Sequence, residues 1–316
     1  MVKYILQRLL GFLITMFIIT TVCFIALRFM PGNVFDDPLM PLAVRQMLEA
    51  RYHLDRPIPI QYLYFLEGII LRQDFGVSLK FDIGTPVFQV VGRRMGVTMQ
   101  LNFMSMFLSL PFGIGLGILA ALKRNRIADH VISVMIVLGI SIPSFIFALL
   151  LQYFIAFRLG IFPILFEPLA TGWQKIHSMI LPVIALALGP IAVIARNLRA
   201  ELIDTLNSEF MLLARTKGLN KFQATVRHAF RNSTIPVLGI FVWQFIGIFF
   251  GALVIEQIFS ISGVGRIFIA SVNTNDHPLT IALIILFTSI SLLTVLLIDL
   301  LYGVVDPRIR IGGKKQ

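Results

Sequence analysis

The sequence predicts an all-α polytopic membrane protein with six transmembrane helices, and three observations carry that expectation. Of 316 residues, 57% are apolar and only 14% are charged, with a mean hydropathy of +0.88. Soluble chains average about 45–50% apolar and about 25% charged residues, so the excess apolar surface has to face lipid. The apolar residues are also gathered into runs that match the ~30 Å hydrocarbon core of a bilayer, which takes about 20 residues of helix. Finally, Lys and Arg cluster in alternate connections between those runs. The net charge of +11 is therefore topological, because no basic stretch interleaved with aromatics stands clear of the apolar runs as a nucleic-acid surface would. Cys23 is the single cysteine and lies inside an apolar run, so no internal disulfide is available.

Taken in order, the spans run from about Leu9 to Leu27, Thr98 to Leu122, Val131 to Phe157, Met179 to Ala195, Ile235 to Phe259 and Leu279 to Leu301. Lys3 and Arg8 precede the first, as in a secretory signal, but its apolar part is long and no Ala-x-Ala site follows, so it reads as an uncleaved span. The positive residues fix the orientation, because they resist translocation. Lys3, Arg8, Lys123, Arg124, Arg126, Arg308, Arg310, Lys314 and Lys315 share one side, and so does the basic segment from Arg196 to Arg231. Both termini are expected in the cytoplasm. Arg93 and Arg94 dissent, at the end of a long segment where the charge rule is weak. The expected organisation is residues 1–27 as N-terminus and first span, 28–97 as a long extracytoplasmic segment, 98–307 as a five-helix core and 308–316 as a cytoplasmic tail.

Two segments exceed what spanning requires. Residues 28–97 carry seven acids against eight Lys and Arg, with Leu48, Tyr52, Tyr62, Phe65, Leu66 and Ile69 as apolar anchors and Pro57 and Pro59 as helix breaks. A folded outer subdomain of short helices is expected there. Between spans four and five, residues 196–231 read as helix, turn, helix. Phe210 to Lys217 is helix-forming, Gly218 is a left-handed terminator, and Asn220 with Gln223 resembles a capping box. Phe222, Val226 and Phe230 then fall near one face of the second helix. An ordered amphipathic pair beside a membrane suggests docking, onto the bilayer surface or into a groove on a partner protein.

Several chemistries are excluded. The chain has no phosphate-cradling Gly-x-x-x-x-Gly-Lys-Ser/Thr loop, no His-Glu-x-x-His and no Cys-x-x-Cys, so neither ATP hydrolysis nor a metal centre is expected. Gly113, Gly115 and Gly117, and likewise Gly247 and Gly251, read as close helix contacts within spans. Acids in or at the ends of spans are costly unless they face protein or water. Glu256 closes the fifth span and reads as an interfacial ion pair with Arg266, with substrate contact as the other reading. Asp299 reads as a partner of Arg308 or Arg310, or as a helix cap. A self-contained secondary transporter would need inverted repeats and mid-membrane coupling acids. Pro143 and Pro190 are candidate helix breaks, but no such acid accompanies them.

The motif Ala214-Arg215-Thr216-Lys217-Gly218-Leu219, followed by Arg227-His228-Ala229-Phe230-Arg231-Asn232 and Ile235-Pro236-Val237-Leu238, resembles the inner-membrane permease subunits of oligopeptide and dipeptide ABC importers. The resemblance extends over nearly the whole chain. It includes Tyr4-Ile5-Leu6-Gln7-Arg8, Arg28-Phe29-Met30-Pro31-Gly32-Asn33, Tyr52-His53-Leu54-Asp55-Arg56-Pro57, Asp74-Phe75-Gly76-Val77-Ser78, Ile142-Pro143-Ser144-Phe145, Ile255-Glu256-Gln257-Ile258-Phe259 and Asp299-Leu300-Leu301-Tyr302-Gly303.

The resemblance implies a type I ABC importer permease fold whose helical pair seats in a groove on a cytoplasmic ATPase, with Ala214, Arg215, Lys217, Gly218, Arg227 and His228 as the coupling residues. It further implies a homologous second permease, two ATPase subunits that hold ATP and Mg, and an extracytoplasmic binding protein that delivers a peptide. The chain itself would bind no cofactor and no nucleic acid, and would sit in the cytoplasmic membrane among lipid. Leu212 and Leu213 occupy positions where the general importer motif has Glu and Ala, and Ser262 stands where relatives often carry Pro. Tyr52 to Pro57 and Asp74 to Gly76 lean toward oligopeptides; a dipeptide or nickel-chelate importer is the alternative.

Overall fold

The computed structural model describes all residues except 1, 30–40, 52, 210, 212–215, 217, 219–222, 224–228, 235–236 and 306–316. Its regular structure is helical, with one isolated bridge between Val77 and Pro86. The chain forms two compact units, one of Met1–Gly96 with Ser262–Leu293 and one of Val97–Ile261 with Thr294–Gln316.

The first unit begins with α1 (Val2–Phe29), an apolar helix ending at Arg28 and Phe29. Two short helices follow, α2 (Leu42–Arg51) and α3 (Ile58–Arg72). Pro57 caps α3 and Pro59 sits in its first turn, where a missing N–H costs nothing. The described part of the segment between the first two spans thus contains short helices, as its composition predicts. Phe24 and Leu27 of α1 bury against Ile281 with Ile58, Tyr62 and Phe65 of α3 alongside. The Phe24 ring lies 5.3 Å from Tyr62 and 5.0 Å from Phe65. The start of α4 (Val87–Leu122) buries Val87, Val90 and Val91 against Val264 and Ile267 of α11 (Val264–Asn273) and Leu279 and Leu283 of α12 (His277–Val305).

The second unit holds the rest of α4 together with α5 (Ile127–Ser141), α6 (Ser144–Leu151), α7 (Gly172–Leu206), α8 (Phe230–Thr234), α9 (Leu238–Ile246) and α10 (Leu253–Ile258). Small residues set the α4–α7 approach. A Cβ on Gly113 would lie 2.8 Å from Ile194 Cβ, and one on Gly117 would lie 3.0 Å from the Ala195 carbonyl oxygen. Gly115 points into open space, so two of the three glycines make the expected close contact. Gly139 of α5 meets Ala192 in the same way, at 3.0 Å. The core runs from Leu101, Met179, Leu181 and Ala185 to Ile255, Phe259 and Ile261.

Among the described residues, five helices are long and apolar enough to cross a membrane, and a bent pair makes six if it counts as one span. Two spans are interrupted, the third of them at Pro143, a candidate break in the sequence. The third turns by 102° between Ser141 and Ser144, because Pro143 supplies no N–H and pushes Ile142 into an extended conformation; a π-helical stretch (Gln152–Arg158) then continues it. Pro182 and Pro190, in contrast, stay inside α7. The fifth span is irregular between α9 and α10, with a 3₁₀ turn at Gly247–Phe249 and an extended Phe250. Gly247 and Gly251 therefore do not form one small-residue helix face. Gly251 lies outside any helix, and a Cβ on Gly247 would meet nothing within 4 Å.

Candidate functional site

Thr98, Asn102, Ser105 and Ser109 recur at four, three and four residues along α4, a spacing that puts them on one helix face. This polar seam faces the irregular fifth span. Unwinding between α9 and α10 removes helical partners from nearby carbonyls, and in a membrane such groups need replacements. Asn102 provides them. Its carboxamide donates to the Phe250 carbonyl at 2.6 Å and to the Ile248 carbonyl at 3.2 Å. One turn or two along, Gln244 donates to Ser109 Oγ at 2.8 Å, and Ser109 donates to the Met106 carbonyl at 3.2 Å.

Glu256 occupies the other end of the seam and is fully buried. Its Oε1 accepts from Thr98 Oγ1 at 2.9 Å and from the Ala252 N–H at 3.2 Å. The second bond covers an N–H that the start of α10 leaves without a helical partner. Arg266 lies on α11 in the first unit, and Asp299 is half-buried near the end of α12.

The chain between α7 and α8 is anchored at both ends to the part of α7 beyond Ala195. Met211 and Ala229 are fully buried with Leu198, Leu202 and Ala121. Ser233 Oγ lies 3.1 Å from the Glu201 carbonyl and 2.9 Å from Thr205 Oγ1. Gly218 is exposed in a turn with φ +87°, as a left-handed terminator requires, and a Cβ there would meet nothing within 4 Å. Ala214, Arg215, Lys217, Arg227 and His228 lie outside the described residues.

Two buried carboxylates escaped sequence reasoning. Asp129, in the first turn of α5, takes a bidentate pair from Arg199 of α7, with Nε to Oδ1 at 2.6 Å and a second guanidinium nitrogen to Oδ2 at 2.9 Å. The Asn125 N–H adds a third bond at 3.0 Å. This clamp holds the start of α5 to the same stretch of α7 against which Met211 and Ala229 pack. An acid beside a span opposite a basic helix was its only sequence signal. Asp276, just before α12, is fully buried in the first unit. Its Oδ2 accepts from Ser78 Oγ at 2.6 Å and from the N–H groups of Leu79, Lys80 and Phe81 at 3.0, 3.1 and 3.2 Å. Successive backbone N–H groups converging on one oxygen form an anion nest, filled here by the protein's own carboxylate. Among the described residues, no cluster of three or more His, Cys, Asp or Glu could hold a metal ion.

Residues 113–311 match the family model described as binding-protein-dependent transport system inner membrane component, and residues 1–102 match its N-terminal companion. The chain is 36% identical to the dipeptide transport system permease protein DppB of Lactococcus lactis, over 98% of this chain and all of that protein. It is also 36% identical to the oligopeptide transport system permease protein OppB of Escherichia coli K12, again over 98% of this chain and all of the relative. Among solved structures, an amino acid ABC transporter shares the fold at a TM-score of 0.50 and 17% identity, covering 66% of this chain and 92% of that one. The matched models together span almost the whole sequence, and the chain belongs to the family of binding-protein-dependent transport system inner membrane components.

Proposed function

We propose that this chain is one of two permease subunits lining the pathway of an ATP-driven peptide importer, with its termini in the cytoplasm. The observation that carries the reading is full-length similarity to peptide permeases at 36% identity, for dipeptide and oligopeptide systems alike. An extracytoplasmic binding protein delivers the peptide, and two cytoplasmic ATPase subunits hold ATP and Mg. We favour oligopeptides as cargo, on the strength of the motifs from Tyr52 to Pro57 and from Asp74 to Gly76. A dipeptide importer is the second reading, favoured by the equal identity to DppB.

The geometry supports a route for coupling. Closure of the ATPases moves the segment around Gly218, and that segment is tied to α7 through Met211, Ala229 and Ser233. Because α7 packs tightly on α4 at Gly113 and Gly117, its displacement reaches the polar seam opposite the irregular fifth span. There, Asn102 and Gln244 hold bonds that can be exchanged without exposing a charge.

The test is Gly218→Val in the assembled transporter. A β-branched residue at φ +87° is strained by roughly 1–2 kcal/mol, while the open space around it leaves packing intact. The expected result is normal assembly with peptide uptake reduced several-fold per ATP hydrolysed. Unchanged uptake per ATP would remove Gly218 from the coupling path.

A further inference from the structure

The first unit contains a cavity of about 320 Å³ at the end of α1, bounded by α1, α3 and the start of α12. That is far above the ~10–15 Å³ a single water needs. Its wall holds two buried polar side chains with unmet bonding capacity. His277 is 7% exposed, and neither ring nitrogen has a hydrogen-bond partner. Gln61 is 9% exposed; its amide N–H group donates to the Leu54 and Arg56 carbonyls at 3.2 and 2.7 Å, which leaves Oε1 as an acceptor without a donor. Buried polar atoms are nearly always paired, and each orphan is costly.

Charge in the same wall has a pattern. Arg28 sits with its guanidinium 5.1 Å over the Phe24 ring and, among the described residues, forms no ion pair. In the same lining, Glu67 is bound to Arg72 at 2.6 Å, and Asp74 Oδ1 accepts from the Gly76 N–H at 2.8 Å. The cavity lining thus holds a guanidinium with no ion pair among the described residues, buried acceptors without donors, and two carboxylates. It lies where the apolar run of α1 ends, the level at which a helix of that apolar length is expected to meet lipid headgroups, and α1 carries exposed Val22, Ile25 and Phe29 beside it.

We infer that this cavity binds an aminophospholipid headgroup, a phosphodiester joined to a primary ammonium. The phosphate oxygens accept from the Arg28 guanidinium, whose planar fork suits them. The ammonium donates to Gln61 Oε1 and toward Asp74. His277 turns about its Cβ–Cγ bond, a soft torsion for an imidazole, and presents a nitrogen to the ligand. The acyl chains lie along the exposed side of α1. A free peptide also carries an ammonium and an anion, but the adjoining surface is apolar helix rather than a polar channel.

The intact transporter, extracted from nanodiscs of equal phosphatidylethanolamine and phosphatidylglycerol, tests this by native mass spectrometry. One tightly held phosphatidylethanolamine per copy of this chain is expected. Retention falls about tenfold in Arg28→Gln, the loss of one charge-assisted contact, and also in Gln61→Leu. His277→Leu joins the series if it elutes as an assembled complex, and Arg28→Gln, altering a half-exposed residue, keeps the test independent of that outcome. Equal retention of both lipids, retention unchanged in Arg28→Gln and Gln61→Leu, or release of the lipid by added peptide would each overturn the assignment.

Discussion

Asp276 shows how much one carboxylate can organise. Four donors converge on Oδ2, and three are backbone N–H groups of residues 79–81. Removing the acceptor leaves these part-buried groups without their partner, at up to about 1–3 kcal/mol for an unsatisfied donor that water does not reach. Asp276→Ala is therefore expected to lower the thermal midpoint of the purified protein by several degrees. It should also open the chain near Leu79 to proteolysis, while Asp276→Asn, which keeps an acceptor oxygen, should do less. Identical proteolysis of Asp276→Ala and the native protein would show that the nest does not hold the loop. Asp129 and Arg199 make a second case. Arg199→Gln strips two bonds from a buried carboxylate and should cost about 1–3 kcal/mol. In Asp129→Asn the same change should cost distinctly less, a non-additivity that a double-mutant cycle in detergent measures. Additive losses would mean that the pair is incidental. Neither acid stood out in the sequence, because each lies just outside an apolar run and finds its partners 70 or nearly 200 residues away.

At the scale of elements, hydropathy was a good guide to which segments are helices and a poor guide to their continuity. Span length follows from apolar composition, which local sequence displays. Bending follows from backbone hydrogen bonds lost at Pro143 and at the Gly247–Gly251 stretch, and whether a break results depends on packing. Pro190 has the same chemistry as Pro143, yet it remains within α7, where small residues hold neighbouring helices close. Glu256 was visible as an intramembrane acid, but its bond to Thr98, 158 residues away, was not. Gly218 adopts the left-handed conformation that its place as a helix terminator predicts. The glycines of α4 give a direct test of helix approach. Gly113→Ala places a methyl group 2.8 Å from Ile194 Cβ and should destabilise the protein by about 1–3 kcal/mol. Gly115→Ala, two residues on, meets open space and should be neutral or stabilising, since Ala is favoured over Gly in helices by ~1 kcal/mol. Thermal unfolding of the two variants decides between this account and one in which α4 glycines matter only for flexibility; equal effects would favour the latter.

At the scale of the molecule, the chain combines apolar spans, short helices between the first and second of them, a polar seam and an anchored segment between α7 and α8, and its sequence carries no nucleotide-binding motif. Such a subunit works by transmitting motion made elsewhere. The carboxylates of Asp129 and Asp276 tie neighbouring elements together through charge-assisted bonds, whereas the bonds of Asn102 and Gln244 in the seam join uncharged groups. The central claim is that transport depends on partners acting from both sides of the membrane. Uptake of a labelled oligopeptide into proteoliposomes, containing this chain with its co-purifying subunits, measures that dependence. The account predicts uptake only when ATP is present on the ATPase side and the binding protein on the other. Uptake by this chain alone, driven by an ion gradient, would contradict it.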